Sequence, residues 1–169
     1  SLYVNTTGSF IVVLGGCVLG LSIDGDSNTG LGHRATNRNT SGDLNIGVGR
    51  RSLYSTTTSN YNSAIGSYAL EDANRTADTD GYNTALGYKA GNTGTNDVTT
   101  GNKNTLLGAN TASSAAAGTN QTVIGYGASG TANNSVTIGN SDVTAWYPGS
   151  DNTADLGSSS VEFKDLYID

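Results

Sequence analysis

Proline, cysteine and histidine each occur once, at Pro148, Cys17 and His33; methionine is absent and glutamate occurs twice. One proline excludes collagen and proline-rich linkers. One cysteine cannot make an intrachain disulfide, so it says nothing of the redox compartment. The chain has only eight Lys and Arg against a net charge of −6, with no basic run longer than Arg50-Arg51. That balance argues against nucleic-acid binding. No apolar run approaches the ~18 residues of a membrane helix, and no signal peptide stands at the start. Strong apolar residues are scarce too: Leu, Ile, Val and Phe make up 32 of 169 residues, at the level where composition alone suggests disorder. What fills the chain instead is 24 Gly, 23 Thr, 19 Ser and 19 Asn, half of all residues.

Disorder and a fold separate on whether the few aliphatics recur at a fixed period. They do. A small, polar or aliphatic residue, then an aliphatic one, then Gly repeats as Val13-Leu14-Gly15, Gly30-Leu31-Gly32, Gly47-Val48-Gly49, Ala64-Ile65-Gly66, Ala85-Leu86-Gly87, Leu106-Leu107-Gly108, Val123-Ile124-Gly125 and Thr137-Ile138-Gly139. The final glycines are spaced 17, 17, 17, 21, 21, 17 and 14 residues apart. Four residues before the Gly stand Asn28, Asn45, Asn62, Asn83 and Asn104, then Gln121 and Ser135. Three after it come Ala35, Ser52, Ala69, Ala90, Thr111 and Ala128.

Each repeat reads as a short strand such as Asn83-Thr84-Ala85-Leu86, a Gly-centred bend, a second short extended piece around the small residue, and a polar return loop. Residues one and three before the Gly share a face by period-2 alternation. Gly serves the bend because it takes positive φ without steric cost. No 3.6-residue apolar period runs through the chain, so a helical repeat is excluded. Coils of this length stack as a parallel β-solenoid or β-roll about 4.8 Å apart, giving a rod of roughly 35–40 Å. One aliphatic residue per coil, at about 25 cal/mol/Å², does not offset the entropy of ordering a coil. The expected solution is three chains around one axis, sharing a core of Leu14, Leu31, Val48, Ile65, Leu86, Leu107, Ile124 and Ile138. The Asn column is expected to form amide ladders along the rod.

Ser1-Leu2-Tyr3 is in register with Ser52-Leu53-Tyr54, so the chain is expected to begin inside a coil of a longer array. The two 21-residue repeats carry longer return loops, Glu71 to Gly81 and Asn92 to Lys103, expected to project on one side. Between Phe10 and Leu21 the pattern degrades, with Ile11 where other coils have Asn, and a locally drier trimer core accounts for it most simply.

The repeat, with Asn-Ser-Val-Thr-Ile-Gly at 134–139 and Tyr-Asn-Thr-Ala-Leu-Gly-Tyr-Lys-Ala at 82–90, resembles the head repeats of trimeric autotransporter adhesins. It is more similar to the related repeats of long viral tail-fibre proteins, because 17- and 21-residue spacings depart from the shorter adhesin repeat. The resemblance covers residues 1 to 142 and implies left-handed parallel β-rolls wound as intertwined homotrimers. Residues Asp151 to Ile168 are similar to the connector that precedes an endosialidase-type intramolecular chaperone in bacteriophage tail fibres and tailspikes. Leu156, Phe163, Leu166 and Tyr167 there suffice for a small three-fold plug, with Gly157 to Ser160 as a turn. The expected architecture is therefore all-β and fibrous: a β-roll over 1–145 and a connector over 146–169 before a missing chaperone, either released or cut away by truncation of the chain.

Catalysis needs convergent groups. His33 has no second imidazole and falls just after a repeat Gly, like Arg50, Ser67, Tyr88 and Tyr126, so it reads as a surface residue. Glu71, Asp72, Asp78 and Asp80 sit in one polar loop with no apolar wall to raise a pKa, which disfavours a glycosidase pair. Asp24-Gly25-Asp26-Ser27-Asn28 opens like a calcium loop, but Ala35 stands where the closing Glu belongs. A row of Thr29, Ser63, Thr84, Thr105 and Thr122 suggests an ice-binding face, yet Ile46 and Val136 share the column and alternation puts it on the aliphatic face, so packing inside is the expectation. Five sequons, from Asn5, Asn39, Asn74, Asn120 and Asn133, carry little weight in such a composition. Neither cofactor nor metal is expected.

Aromatic and basic residues follow the repeat Gly at Arg34, Arg50, Arg51, Tyr68, Tyr88, Lys89 and Tyr126. They make an edge suited to glycan or lipopolysaccharide contact, against the plainer reading that they keep a fibre soluble and block lateral pairing. The expected function is non-enzymatic: a structural and adhesive segment of a homotrimeric viral tail fibre, on the virion and extracellular. It would adjoin other fibre or baseplate segments and hold a receptor-binding part, for host glycan or protein, away from the particle. The head of a bacterial surface adhesin is the alternative, ahead of a polysaccharide-degrading tailspike or an ice-binding solenoid.

Overall fold

A computed structural model describes residues 5–18, 20, 24–74, 80–147, 149 and 160. Ser1 to Val4, Asp78 and the plug residues Leu156, Phe163, Leu166 and Tyr167 lie outside them, and with them the mid-coil start and the connector. The strands are β1 (Val12–Leu14), β2 (Thr29–Leu31), β3 (Ile46–Val48), β4 (Ser63–Ile65), β5 (Thr84–Leu86), β6 (Thr105–Leu107), β7 (Gln121–Ile124) and β8 (Ser135–Ile138). They form one parallel sheet in sequence order, each pairing only with the next. No helix occurs among the described residues. The protein is an all-β solenoid, its coil length set by the glycine spacing. The pairing is in register throughout: Leu14 with Leu31, Leu31 with Val48, and on through Leu107 with Ile124 to Ile124 with Ile138.

The repeat glycines are required twice over. Their φ runs from +88° to +141°, where a side chain is strained, and they stack on one another. A Cβ on Gly32 would lie 2.8 Å from the carbonyl carbon of Gly49, and one on Gly49 2.6 Å from that of Gly66. Three further corners turn on residues other than Gly. Among the described residues, eighteen non-Gly residues have φ between 47° and 64°. They fall five before the repeat Gly (Phe10, Ser27, Leu44, Tyr61, Tyr82, Lys103, Asn120, Asn134), two after (Cys17, Arg34, Arg51, Tyr68, Lys89, Asn110) and four after (Thr36, Leu53, Leu70), with Asn96 in the long loop. Each such corner costs roughly 1 kcal/mol. This corrects one expectation: the segment after the Gly is a run of turns, not a second strand, because left-handed residues at alternate positions stop the chain extending. It still bonds coil to coil, as in Thr36 N–H to Ser52 O at 2.9 Å and Leu53 N–H to Ala69 O at 3.1 Å.

The interior is built from columns other than the aliphatic one. Residues two before the Gly point inward: Gly30, Gly47, Ala64, Ala85, Leu106 and Val123 are all buried. Across the coil they face the residue four after the Gly, and the two trade volume. Ala64 goes with Leu70 and Leu106 with Ala112, while a Cβ on Gly47 would meet the Thr36 methyl at 2.8 Å. Ala85 and Gly91 are both small, and there the 21-residue coil sends Val98 back into the core, its N–H bonded to Gly91 O at 2.9 Å. A Cβ on Gly91 would lie 2.8 Å from both Leu70 and Leu106, so the space is already full. One chain thus has a narrow core of its own, which a count of the aliphatic column misses. At the start of the rod, Ile11 and Val13 pack against Val18 and Ala35 of the same chain.

The Asn column forms the expected ladder, and most rungs clamp two backbone groups of the next coil, Asn62 being the exception, with its Nδ2 turned back to Asn45 Oδ1 and Asn60 O. Asn28 Oδ1 accepts the Asn45 N–H at 2.9 Å while its Nδ2 donates to Gly42 O at 2.7 Å. Asn45 repeats this with Asn62 N–H (3.0 Å) and Ser59 O (2.8 Å), and Asn104 with Gln121 N–H (3.1 Å) and Gly118 O (2.8 Å). These amides are completely buried, where an unpaired polar group is costly.

Gly49→Ala should lose about 3 kcal/mol or more of unfolding free energy in urea, from strain and a backbone clash together. Gly94→Ala, with φ +86° and nothing within 4 Å, should lose only about 1 kcal/mol. Asn45→Ala orphans the Asn62 N–H and the Ser59 carbonyl and should cost roughly 2–4 kcal/mol by the same assay.

Candidate functional surfaces

Period-2 alternation groups the residues five, three and one before the Gly on one face, and that face is the outside of the coil. Val12, Ile46 and Val136 are exposed, as are Leu14 (72%), Ile65 (45%), Leu86 (46%), Leu107 (42%) and Ile138 (43%); Leu31, Val48 and Ile124 are half-buried. Phe10, Leu44, Tyr61 and Tyr82 continue it at the positions five before the Gly. The Tyr61 and Tyr82 rings stack with centroids 4.8 Å apart and planes 3° from parallel, and Tyr82 donates to Asp80 Oδ2 at 3.1 Å. Ser63, Thr84, Thr105 and Thr122 lie in the same face beside the aliphatics, but half-buried or exposed rather than packed inside the coil, because that face of the sheet is its outer one. A single coil therefore turns its most regular aliphatic column away from its own core. The sheet is covered on one side only, whereas parallel sheets are as a rule covered on both.

The second surface is the corner after the repeat Gly. Coil pairing stacks its residues: Arg51 N–H donates to His33 O (3.0 Å), Tyr68 N–H to Arg50 O (2.8 Å) and Lys89 N–H to Ser67 O (2.9 Å). The Arg50 guanidinium lies 5.2 Å from the Tyr68 ring centroid, Tyr68 meets Tyr88 edge-on at 6.1 Å, and Lys89 Nζ is 5.8 Å from the Tyr88 ring. Structure brings Arg50, Tyr68, Tyr88 and Lys89 together, sets Arg34 one coil before them with its N–H on Gly16 O, and leaves Tyr126 exposed two coils further on.

Arg51 behaves differently. Its Nη2 pairs with Glu71 Oε1 at 2.7 Å, Glu71 Oε2 accepts from Asn92 Nδ2 at 2.7 Å, and the guanidinium lies 4.4 Å from the Tyr54 ring. Arg38 comes to 5.0 Å from the same ring. This cluster ties three coils together and was not legible from spacing, since Glu71 and Asn92 open the two longer return loops. Asp72 accepts from the Ser55 hydroxyl at 3.3 Å and is exposed. The Glu71 carboxylate is thus occupied by Arg51 and Asn92.

The calcium-like segment does not converge. Asn28 turns into the interior ladder, while Asp26 stays exposed and accepts the Ser9 N–H at 2.6 Å. Among the described residues no three His, Cys, Asp or Glu side chains gather as a metal group, and no helix is long and apolar enough to cross a membrane. Cys17 is exposed. No protein-family profile, curated protein or solved structure matches the chain.

Glu71→Gln should lower stability by about 1 kcal/mol in chemical denaturation, because it removes one partly exposed ion pair but keeps the amide contact with Asn92.

Proposed function

We propose that the chain is a structural and attachment segment of a homotrimeric, fibrous viral tail protein, without enzymatic activity of its own. The observation that carries this reading is the outward apolar face of the sheet. It runs the length of the rod as Leu14, Leu31, Val48, Ile65, Leu86, Leu107, Ile124 and Ile138, flanked by Val12, Ile46 and Val136. Isolated soluble proteins seldom leave a contiguous apolar patch beyond a few hundred Å² in water. A face with the rod's own period is matched best by another copy of the same rod. Three copies about a common axis close the arrangement without a free edge. The coils then share a core that no single chain completes, and the resemblance of the repeat implies an intertwined, left-handed winding for it.

The work of such a segment is mechanical. It is extracellular, adjoins further fibre or baseplate segments, and sets a distance between the particle and the host surface, where the cationic and aromatic corner meets glycan or protein. Trp146 and Tyr147, both exposed at the end of the described rod, would start the connector toward the next segment.

Light scattering coupled to gel filtration tests the assembly. The wild-type chain should have the mass of a trimer at micromolar concentration. Leu86→Asp, at a position 46% exposed in the single coil, should release folded monomer of native-like β signal. A wild-type monomer, or a trimer indifferent to Leu86→Asp, would sink the proposal.

A further inference from the structure

All four described arginines, Arg34, Arg38, Arg50 and Arg51, fall in two consecutive coils of a chain whose net charge is −6. Register sets Arg34 over Arg51 and His33 over Arg50, on rungs about 4.8 Å apart. His33, Arg34, Arg38 and Arg50 are exposed. From His33 to Tyr54 the sequence has a single carboxylate, Asp43, and its Oδ1 is taken by the Asp26 N–H at 2.7 Å. Among the described residues the one ion pair is Arg51 with Glu71, so Arg34, Arg38 and Arg50 have no carboxylate partner. Two guanidinium groups, of Arg38 and Arg51, crowd the Tyr54 ring, and Arg50 lies against Tyr68.

Like charges gathered this closely repel one another, and an acidic chain has acids enough to neutralise them had stability been the only demand. The residue type is informative as well. Arginine forks match carboxylate and sulfate oxygens in two-point contacts, which lysine does not. The neighbouring Tyr54 and Tyr68 rings brace the guanidinium forks rather than offering free ring faces. They are poorly placed to stack bases, because the Tyr54 and Tyr68 rings already hold guanidinium groups. We infer that the corner formed by His33, Arg34, Arg38, Arg50 and Tyr68 binds an anionic polysaccharide laid along the rod, its carboxylate or sulfate groups meeting guanidinium groups of adjacent coils. This deepens the attachment reading by naming the ligand class, rests on it for the polymer's place at a host surface, and does not need the homotrimer.

The test measures binding of the whole chain to polygalacturonate, dextran sulfate, neutral dextran and single-stranded oligo-dT, at ionic strengths of about 0.01 M and 0.15 M, where screening differs several-fold in range. At least one of the two charged saccharides should bind, the tighter one identifying carboxylate or sulfate as the partner, and its affinity should fall with salt; dextran should not bind. Arg34→Asn with Arg50→Gln should weaken that binding at least tenfold and leave the thermal midpoint unchanged; Asn suits the left-handed backbone at position 34. Lys103→Gln, on an exposed residue further along the rod, should leave binding unchanged. Binding to neither charged saccharide, equal binding to dextran, oligo-dT binding as tight as either saccharide, or indifference to the double substitution would each overturn the inference. Light scattering on the same samples separates this outcome from the assembly: a trimer that ignores both saccharides removes the patch alone, and a monomer that binds one keeps it.

Discussion

Everything in this rod depends on one close approach, the stacking of each repeat Gly directly on the next. A Cβ at Gly49 or Gly87 would come within 2.6 Å of the following backbone, so the coils are locked at a distance only glycine permits. Once that column is fixed, the neighbouring strands meet in register, and the Asn amides reach the N–H and carbonyl groups of the next coil. The strained corners then follow as a cost the ladder sustains. A lone Tyr or Leu at positive φ is unfavourable, but six of them, among eighteen described non-Gly residues of that kind, are held here because coil-to-coil hydrogen bonds leave each little choice.

The core follows the same constraint. With glycine at the bend and small residues three positions later, a coil is thin, and only one sizeable side chain fits per rung. The fold places that side chain on either wall, as Leu53 and Leu70 on one and Leu106 and Val123 on the other. Where both walls are small, at Ala85 and Gly91, a longer coil supplies Val98. The longer return loop after Asn92 is therefore partly a packing device, closed at its tip by Asp97 Oδ1, which accepts the Thr93 and Gly94 N–H groups at 2.6 and 2.7 Å.

The strand positions, their parallel order and the Asn ladder were legible in the sequence because each is a column of one residue type at a fixed spacing. The direction of the aliphatic column was less so. Alternation says that Thr84 and Leu86 share a face, but it carries no sign that separates the inside of a coil from its outside. The inner set at Gly47, Ala64 and Ala85 was hidden by its small size. The corners at Arg34, Arg51, Leu53 and Tyr68 left no mark either, since these side chains do not favour positive φ, and only Asn110, Asn120 and Asn134 hint at the demand. The contact of Arg51 with Glu71 depends on where a longer loop begins, which periodicity does not specify.

The ladder hydrogen bonds of each coil, such as Thr29 N–H to Asn45 O and Ile46 N–H to Asn62 O, run from one rung to the next, along the rod itself. Tension along the axis therefore loads them end-on, a coil at a time. When one coil gives way, a 17-residue length of chain is released. Pulled straight, that length spans about 56–61 Å, where the folded rung occupied about 4.8 Å. A rod built this way is stiff against small displacements and yields in discrete steps under a large one, letting out tether more than tenfold longer than the rung it replaces.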